Sequence, residues 1–293
     1  MSAIPGDGRL PVVLVHALRT SRTMWRPQLE ALAASGHRAL AIDLPGHGAR
    51  TAEPFTLDGA VRAISDGVDA VGGRALVVGL SLGGYSAIAH AARRPDQVAG
   101  LVAASCCTRP LRAVVTPWHA LSRVLLRLPD RGARFNDVVV GWMLPPAALA
   151  DAGAGGWALE VMTSALAAMA GADPLGDLSR VGAPVWLVNG QLDHFRGEER
   201  RFLAACRDGR LVVVPRAPHF VSLVRPTRFT RVVLEALDEV EAREAERKEP
   251  AQPASDQART PPTMPASLGT TTTSSPSRSS TVGVMRRELP PPR

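Results

Sequence analysis

Two rhythms of apolar residues alternate through most of this chain. "PVVLVH", beginning at Pro11, is a short continuous apolar run, the pattern of a strand covered on both faces. "MWRPQLEALAASG" follows, with Leu29, Leu32 and Ala33 at helical spacing and Gly36 placed to stop the helix. "HRALAIDLPGHG" returns to strand and ends in a Pro-Gly turn. Next come a helix in "TLDGAVRAISDGVDAVG", a strand in "RALVVGLS", a helix in "GGYSAIAHAARRP" and a strand in "VAGLVAAS". Repetition of this kind predicts parallel βα units and an α/β fold, a doubly wound and mostly parallel sheet.

Near Arg109 the rhythm breaks. "WHALSRVLLRL", "RFNDVVVGWML" and "GGWALEVMTSALAAMAG" all read as helix, separated by Pro and Gly with no good strand between them. This predicts a helical cap inserted into the sheet domain. The alternation resumes with "APVWLVNG", "EERRFLAACR", "GRLVVVP" and "PTRFTRVVLEALDEV". Beyond it lie the charged run "EAREAERKEP" and a stretch rich in Pro, Ser and Thr, with too little apolar surface to offset the entropy of ordering. The expected organisation is a core in two parts, 1–108 and 179–241, a cap at 109–178, and a disordered tail at 242–293.

Composition narrows the function classes. The net charge of +7 is carried by arginine, Lys248 being the lone lysine, and aromatics make up only 4%. No basic block interleaved with aromatics appears, which argues against nucleic acid as a partner. A basic rim that attracts anionic substrates stays open. Three cysteines, with Cys106 and Cys107 adjacent, make no disulfide framework and read as buried filler. No run reaches the ~18 apolar residues of a membrane span. "GWALEVMTSALAAMAG" comes nearest, but Glu160, Thr163 and Ser164 interrupt it. A cytoplasmic protein acting on a small molecule is the expectation, with no cofactor and no metal called for.

"GLSLGG", Gly79 to Gly84, is the sharpest chemical signal. A strand enters it and an Ala-rich helix leaves it, the context of a G-x-S-x-G nucleophile elbow. The turn tolerates almost no side chain at Gly79 and Gly83, so Ser81 is held strained with its hydroxyl exposed at a helix N-terminus. Serine needs a base to take its proton and a third group to orient that base. In such a fold these follow in the order acid, histidine, each on a loop after a strand. Asp193 lies just past the strand "APVWLV", and His219 lies past "RLVVVP". Rivals are weaker. Asp43 sits in a structural turn, Asp173 and Asp177 precede their strand, and His16, His47 and His194 lack the strand-end placement of a base.

Taken together, these pieces resemble the α/β-hydrolase superfamily, in the branch with a serine nucleophile and a helical cap. The likeness rests on "VLVHALRTSRTMWRPQLEALAASGHRALAIDLPGHG", "GLSLGGYSAIAHAARRPDQVAGLV", "APVWLVNGQLD" and "APHFVSLVRPTRF", in that order. It implies a cofactor-independent, carboxylesterase-like hydrolase working through an acyl-enzyme on Ser81, with His219 as base and Asp193 orienting it. Ser81 sets it apart from relatives with aspartate at the elbow. Phe220, where plant-type hydroxynitrile lyases carry lysine, sets it apart from those. A cofactor-free perhydrolase, a C–C-bond hydrolase and a non-catalytic ligand-binding protein of the same fold remain alternatives.

The resemblance also implies an oxyanion hole built from two backbone amides, Leu82 after the nucleophile and Leu18 after the His-Gly of the family. Here that pair reads His16-Ala17. Alanine adds strain of order 1 kcal/mol if its φ must be positive. Arg19 and Arg22 follow: solvated loop arginines are the favoured reading, and Arg19 at the pocket mouth pairing with a substrate carboxylate or phosphate stays open beside it. In the cap, Trp118, Leu121, Leu125, Trp142, Met143, Trp157 and Met162 are expected mostly to pack onto the core, with a minority lining an apolar acyl site.

Overall fold

The structure, a computed structural model, describes residues 9–248 together with the strand Val284–Arg286. In chain order, β1 (Val12–Val15), α1 (Arg26–Ala34), β2 (Ala39–Ile42), α2 (Leu57–Ala70), β3 (Ala75–Leu80), α3 (Leu82–Arg93) and β4 (Val98–Ala104) come first. Four helices intervene: α4 (Arg112–Leu125), α5 (Ala133–Met143), α6 (Pro146–Gly153) and α7 (Met162–Met169). The chain re-enters the sheet through α8 (Pro174–Arg180), β5 (Val185–Gly190), α9 (Glu199–Ala205) and β6 (Gly209–Val214). It ends with α10 (Val221–Val224), α11 (Pro226–Lys248) and β7 (Val284–Arg286).

The strands form one sheet in the order β2-β1-β3-β4-β5-β6-β7. The first six run parallel, as the alternation predicts, and β7 pairs antiparallel with β6. Every residue of β1, β3, β4 and β5 is buried, because helices cover both faces. Alternate side chains supply two cores. Leu14, Val78 and Val188 join Phe229, Val233 and Leu237 of α11 on one face. Val15, Val77 and Leu187 join Ile64, Ile88 and Phe202 on the other. Each such side chain contributes about 1.5–3 kcal/mol by leaving water.

The strand order sets where a site can form. From β1 the chain turns to β2 on one side, then crosses to β3 on the other. Loops leaving the C-terminal ends of β1 and β3 therefore diverge, and a crevice opens between them.

Three expectations need correction. The last helix runs to Lys248, past the expected boundary at 241/242. Its charged run is held by long-range partners: Glu241 accepts the Leu10 N–H, Arg243 pairs with Asp208, and Glu244 with Arg74. Of the rest of the expected disordered tail, β7 is a strand and the other residues lie outside those described. Second, within "GGWALEVMTSALAAMAG" only Met162–Met169 is helical. The preceding residues are engaged elsewhere, with the Ala158 N–H on the Arg19 carbonyl and Val161 packed over Gly46. Third, the aromatic residues expected to seat the helical insert divide. Trp157 packs against the core, but Trp118 is 48% and Trp142 88% exposed. The buried stripe of α4 is Val115 and Ser122, that of α5 Asn136 and Val140, and the two tryptophans stand off both. No helix among the described residues is long and apolar enough to cross a membrane.

Candidate active site

Ser81 sits between β3 and α3 at φ 54°, ψ −115°, a conformation that costs a residue with a Cβ of order 1–3 kcal/mol. The surrounding glycines show why the turn holds. A Cβ on Gly79 would lie 2.3 Å from the Gly83 carbonyl oxygen, and one on Gly83 would lie 2.2 Å from that of Val15. The helix thus starts hard against the end of β1. The Ser81 N–H donates to the Ala104 carbonyl (2.8 Å), and its side chain makes no capping bond, which leaves the hydroxyl free.

The hydroxyl meets His219. Ser81 Oγ lies 3.0 Å from His219 Nε2, and His219 Nδ1 lies 2.9 Å from Asp193 Oδ1. The two loops are brought together after β5 and β6, where the Leu192 N–H donates to the Ala217 carbonyl (2.9 Å). Asp193 Oδ1 also accepts the Phe195 N–H (2.8 Å). Burial alone would raise the Asp193 pKa, but the bonds from His219 and Phe195 hold it below its ordinary value. An acceptor-only carboxylate fixes the proton of a neutral His219 on Nδ1 and leaves Nε2 as the acceptor for serine.

Ser105 went unnoticed in the sequence. It directly follows β4 at φ 54°, fully buried, and its hydroxyl donates to the His219 carbonyl (2.7 Å). A serine closing an apolar strand is common, and only the contact across 114 residues of sequence gives it meaning.

The His16-Ala17 loop answers the question of strain. Its positive φ falls at Arg19 (71°), and Ala17 needs none. The Ala17 carbonyl accepts His16 Nδ1 (2.8 Å) and the Thr20 hydroxyl (2.8 Å). In a planar trans peptide the carbonyl and the next N–H point opposite ways, so anchoring this oxygen also fixes the Leu18 amide. Leu82 opens α3, where an N–H has no intrahelical partner.

The rivals are occupied elsewhere. His16 gives Nδ1 to Ala17 and accepts the Leu44 N–H at Nε2 (2.9 Å), and burial, with His47 beside it, lowers its pKa to about 3. His47 bonds the Pro45 carbonyl. Asp43 takes the backbone and guanidinium of Arg22 (2.7 and 3.1 Å), so Arg22 clamps a turn. Asp173 caps α8, and Asp177 pairs with Arg180. His194 Nδ1 lies 3.9 Å from Asp193, beyond hydrogen-bond distance. Asp193, His194 and His219 offer ligand atoms within 4.8 Å of one another, but both nitrogens of His219 are already engaged. Cys106 and Cys107 are buried and free, and their mutual hydrogen bond, with burial, pushes the Cys106 thiol up. Arg19 departs from the expectation of a solvated side chain: it is partly buried and bonds Asn136 of α5 (2.9 Å).

Comparison with known proteins bears on all of this. A probable esterase of Oryza sativa is 39% identical over 106 residues, which are 34% of this chain and 40% of that protein. This chain thus matches well under half the length of that relative. A pimeloyl-[acyl-carrier protein] methyl ester esterase of Neisseria meningitidis serogroup C is 31% identical over 242 residues, covering 73% of this chain and 88% of its own. The crystal structure of an enol-lactonase from Burkholderia xenovorans superposes with a TM-score of 0.61 at 27% identity, over 80% of this chain and 94% of that one. The profile of the Alpha/beta hydrolase family matches residues 12–232, from the first strand into the last helix. With sheet order, elbow and family profile in agreement over that span, this chain belongs to the alpha/beta hydrolase family and has its fold.

Proposed function

We propose that the protein hydrolyses carboxylic esters or thioesters of small, mainly apolar molecules through an acyl-enzyme on Ser81. The observation that carries this reading is the pair of hydrogen bonds joining Ser81 to His219 and His219 to Asp193. Ser81 Oγ attacks the acyl carbon while His219 Nε2 takes its proton, and Asp193 stabilises the imidazolium. The Leu82 and Leu18 amides receive the developing oxyanion, each contributing about 10²–10³ in rate. His219 returns the proton to the leaving alcohol or thiol. A water, deprotonated by the same nitrogen, then cleaves the acyl-enzyme and frees the acid.

The helical insert acts as a cap over this rim, and its apolar side chains favour an acyl or aromatic group over a sugar. Relatives named as esterases, and a structural neighbour named as an enol-lactonase, support the same class of acyl–oxygen cleavage, a lactone being a cyclic ester. The test is labelling by a fluorophosphonate probe, with turnover of p-nitrophenyl esters of increasing chain length alongside. Labelling should vanish in Ser81→Ala, and equal labelling of the variant would remove Ser81 as nucleophile. Absence of both labelling and turnover in the wild type would favour a ligand-binding protein.

A further inference from the structure

A buried and a half-buried arginine show opposite surroundings. Arg210 on β6 has Asp208 Oδ1 at 2.9 Å, Glu239 Oε2 at 3.0 Å and the Trp186 ring 4.6 Å beneath its guanidinium. That is how a structural arginine is compensated: carboxylates take the charge and an aromatic face takes the plane. Arg19 has none of this. Its one hydrogen-bonded partner among the described side chains is the neutral Asn136 Oδ1, and no carboxylate among the described residues pairs with it. Burial lowers its pKa, whereas carboxylates raise those of Arg109, Arg196 and Arg243.

The backbone is arranged to hold it there. Arg19 takes φ 71°, a left-handed conformation that favours glycine, and its carbonyl accepts the Ala158 N–H (2.9 Å) from the insert. The side chain lines a cavity of about 10 Å³ with Ser122, Arg131, Phe135, Asn136 and Met162. Such a volume takes one water or one oxygen of an anion. Donors dominate its polar lining. A guanidinium has five N–H groups, of which one is used here, and Asn136 Nδ2 is buried without a partner among the described residues. Turning the amide over would set its NH2 against the guanidinium, so this orientation is forced. Arg131 lines the same cavity, its charge met by Glu160 on the outside (3.2 Å).

Arg19 directly follows Leu18, whose amide is the proposed oxyanion donor. We infer that Arg19 and Asn136 form a subsite for a carboxylate at the end of the substrate remote from the scissile bond. The preferred substrate is then a half-ester, or a lactone bearing a free carboxylate. This deepens the ester-hydrolase reading and rests on it. A carboxylate fits better than a phosphoryl group, because the cavity has room for one oxygen and a carboxylate leaves a single further oxygen outside it where a phosphate monoester leaves two.

The test uses the full chain and two readouts. For turnover, KM and kcat are measured with monomethyl succinate, glutarate and adipate and with the corresponding dimethyl esters. Wild type should show the lower KM for the half-ester at one chain length. In Arg19→Met the half-ester KM should rise about ten- to hundredfold more than the diester KM, the loss expected for a charge-assisted hydrogen bond. Arg22→Met, whose partner is Asp43, should leave the ratio where it was. An equal rise for both esters would make Arg19 a mere strut between core and insert and would overturn the subsite. For binding, Ser81→Ala is titrated with monomethyl glutarate, dimethyl glutarate and butyl phosphate. Arg19-dependent binding of the half-ester without turnover in wild type would sink the hydrolase reading and keep the subsite. Turnover of neutral esters with no Arg19-dependent binding would do the reverse. Tighter binding of butyl phosphate through Arg19 would overturn the carboxylate assignment.

Discussion

The sheet and the helical insert solve opposite packing problems. β3 and β4 are buried at every residue, whereas α4 and α5 leave Val114, Trp118, Leu121, Phe135, Val138 and Trp142 exposed. A strand between two helix layers has no free face, so its apolar run and its position follow from one cause. The insert's helices have one covered stripe each, and nothing local says which of two apolar stripes will be covered. The proposed chemistry is held by the sheet's rigid loop ends, and the proposed selectivity lies where the insert meets them. Mutations should separate the two.

The largest effect belongs to the sheet's rim. Asp193→Asn should lower kcat by about 10⁴, because an amide can present NH2 to His219 Nδ1 and stabilise the wrong tautomer. Fold and melting temperature should change far less than activity. The measurement is kcat with a p-nitrophenyl ester beside circular dichroism. A drop under tenfold would mean that Asp193 does not orient His219.

Next comes packing at the elbow. Gly83→Ala sets a Cβ 2.2 Å from the Val15 carbonyl oxygen and 2.6 Å from that of His16. Both are backbone atoms of a buried strand end and cannot swing aside, so the loss should be about 3 kcal/mol, at the upper end for overpacking. Denaturant midpoints measure it. A loss below 1 kcal/mol would show that the rim yields as the insert does.

These contrasts also explain how far the sequence could be read. All six parallel strands were visible because each carries an apolar run, and the elbow because Gly79 and Gly83 flank a serine between an apolar strand and an Ala-rich helix. Ser81, Asp193 and His219, chosen by order and strand-end placement, are the side chains that meet. What stayed hidden depends on partners distant in sequence. The run after Ala242 looks like a solvated tail until Arg243 finds Asp208 and Glu244 finds Arg74. Ser105 and Arg19 look ordinary until His219 and Asn136 arrive beside them.

Acid should act on the core. Burial lowers the pKa of His16, to about 3, and those of His47 and His90 as well. The unfolded rings protonate near 6.5, so between that pH and the folded value the unfolded state holds the extra proton. Stability is therefore fully present above about pH 6.5 and falls with pH below it, by up to about 1.4 kcal/mol per unit for each such ring. Urea midpoints between pH 7 and 4.5 should show this slope, and His16→Gln should flatten it. An unchanged slope in His16→Gln would place the acid sensitivity elsewhere.

The smallest effect has the opposite sign and lies in the insert. Gly141 sits inside α5, exposed, and a Cβ there would meet nothing within 4 Å. The same substitution that crowds the elbow here only removes backbone freedom from the unfolded chain. Gly141→Ala should add about 0.5–1 kcal/mol of stability. If the insert unfolds before the core, this gain will appear in a first transition and not in the second, and two probes resolve them: hydrogen exchange of the α5 amides and far-ultraviolet dichroism. A destabilising Gly141→Ala would mean that this face of α5 is covered in solution, and the contrast between a closed core and an open insert would fail at that helix.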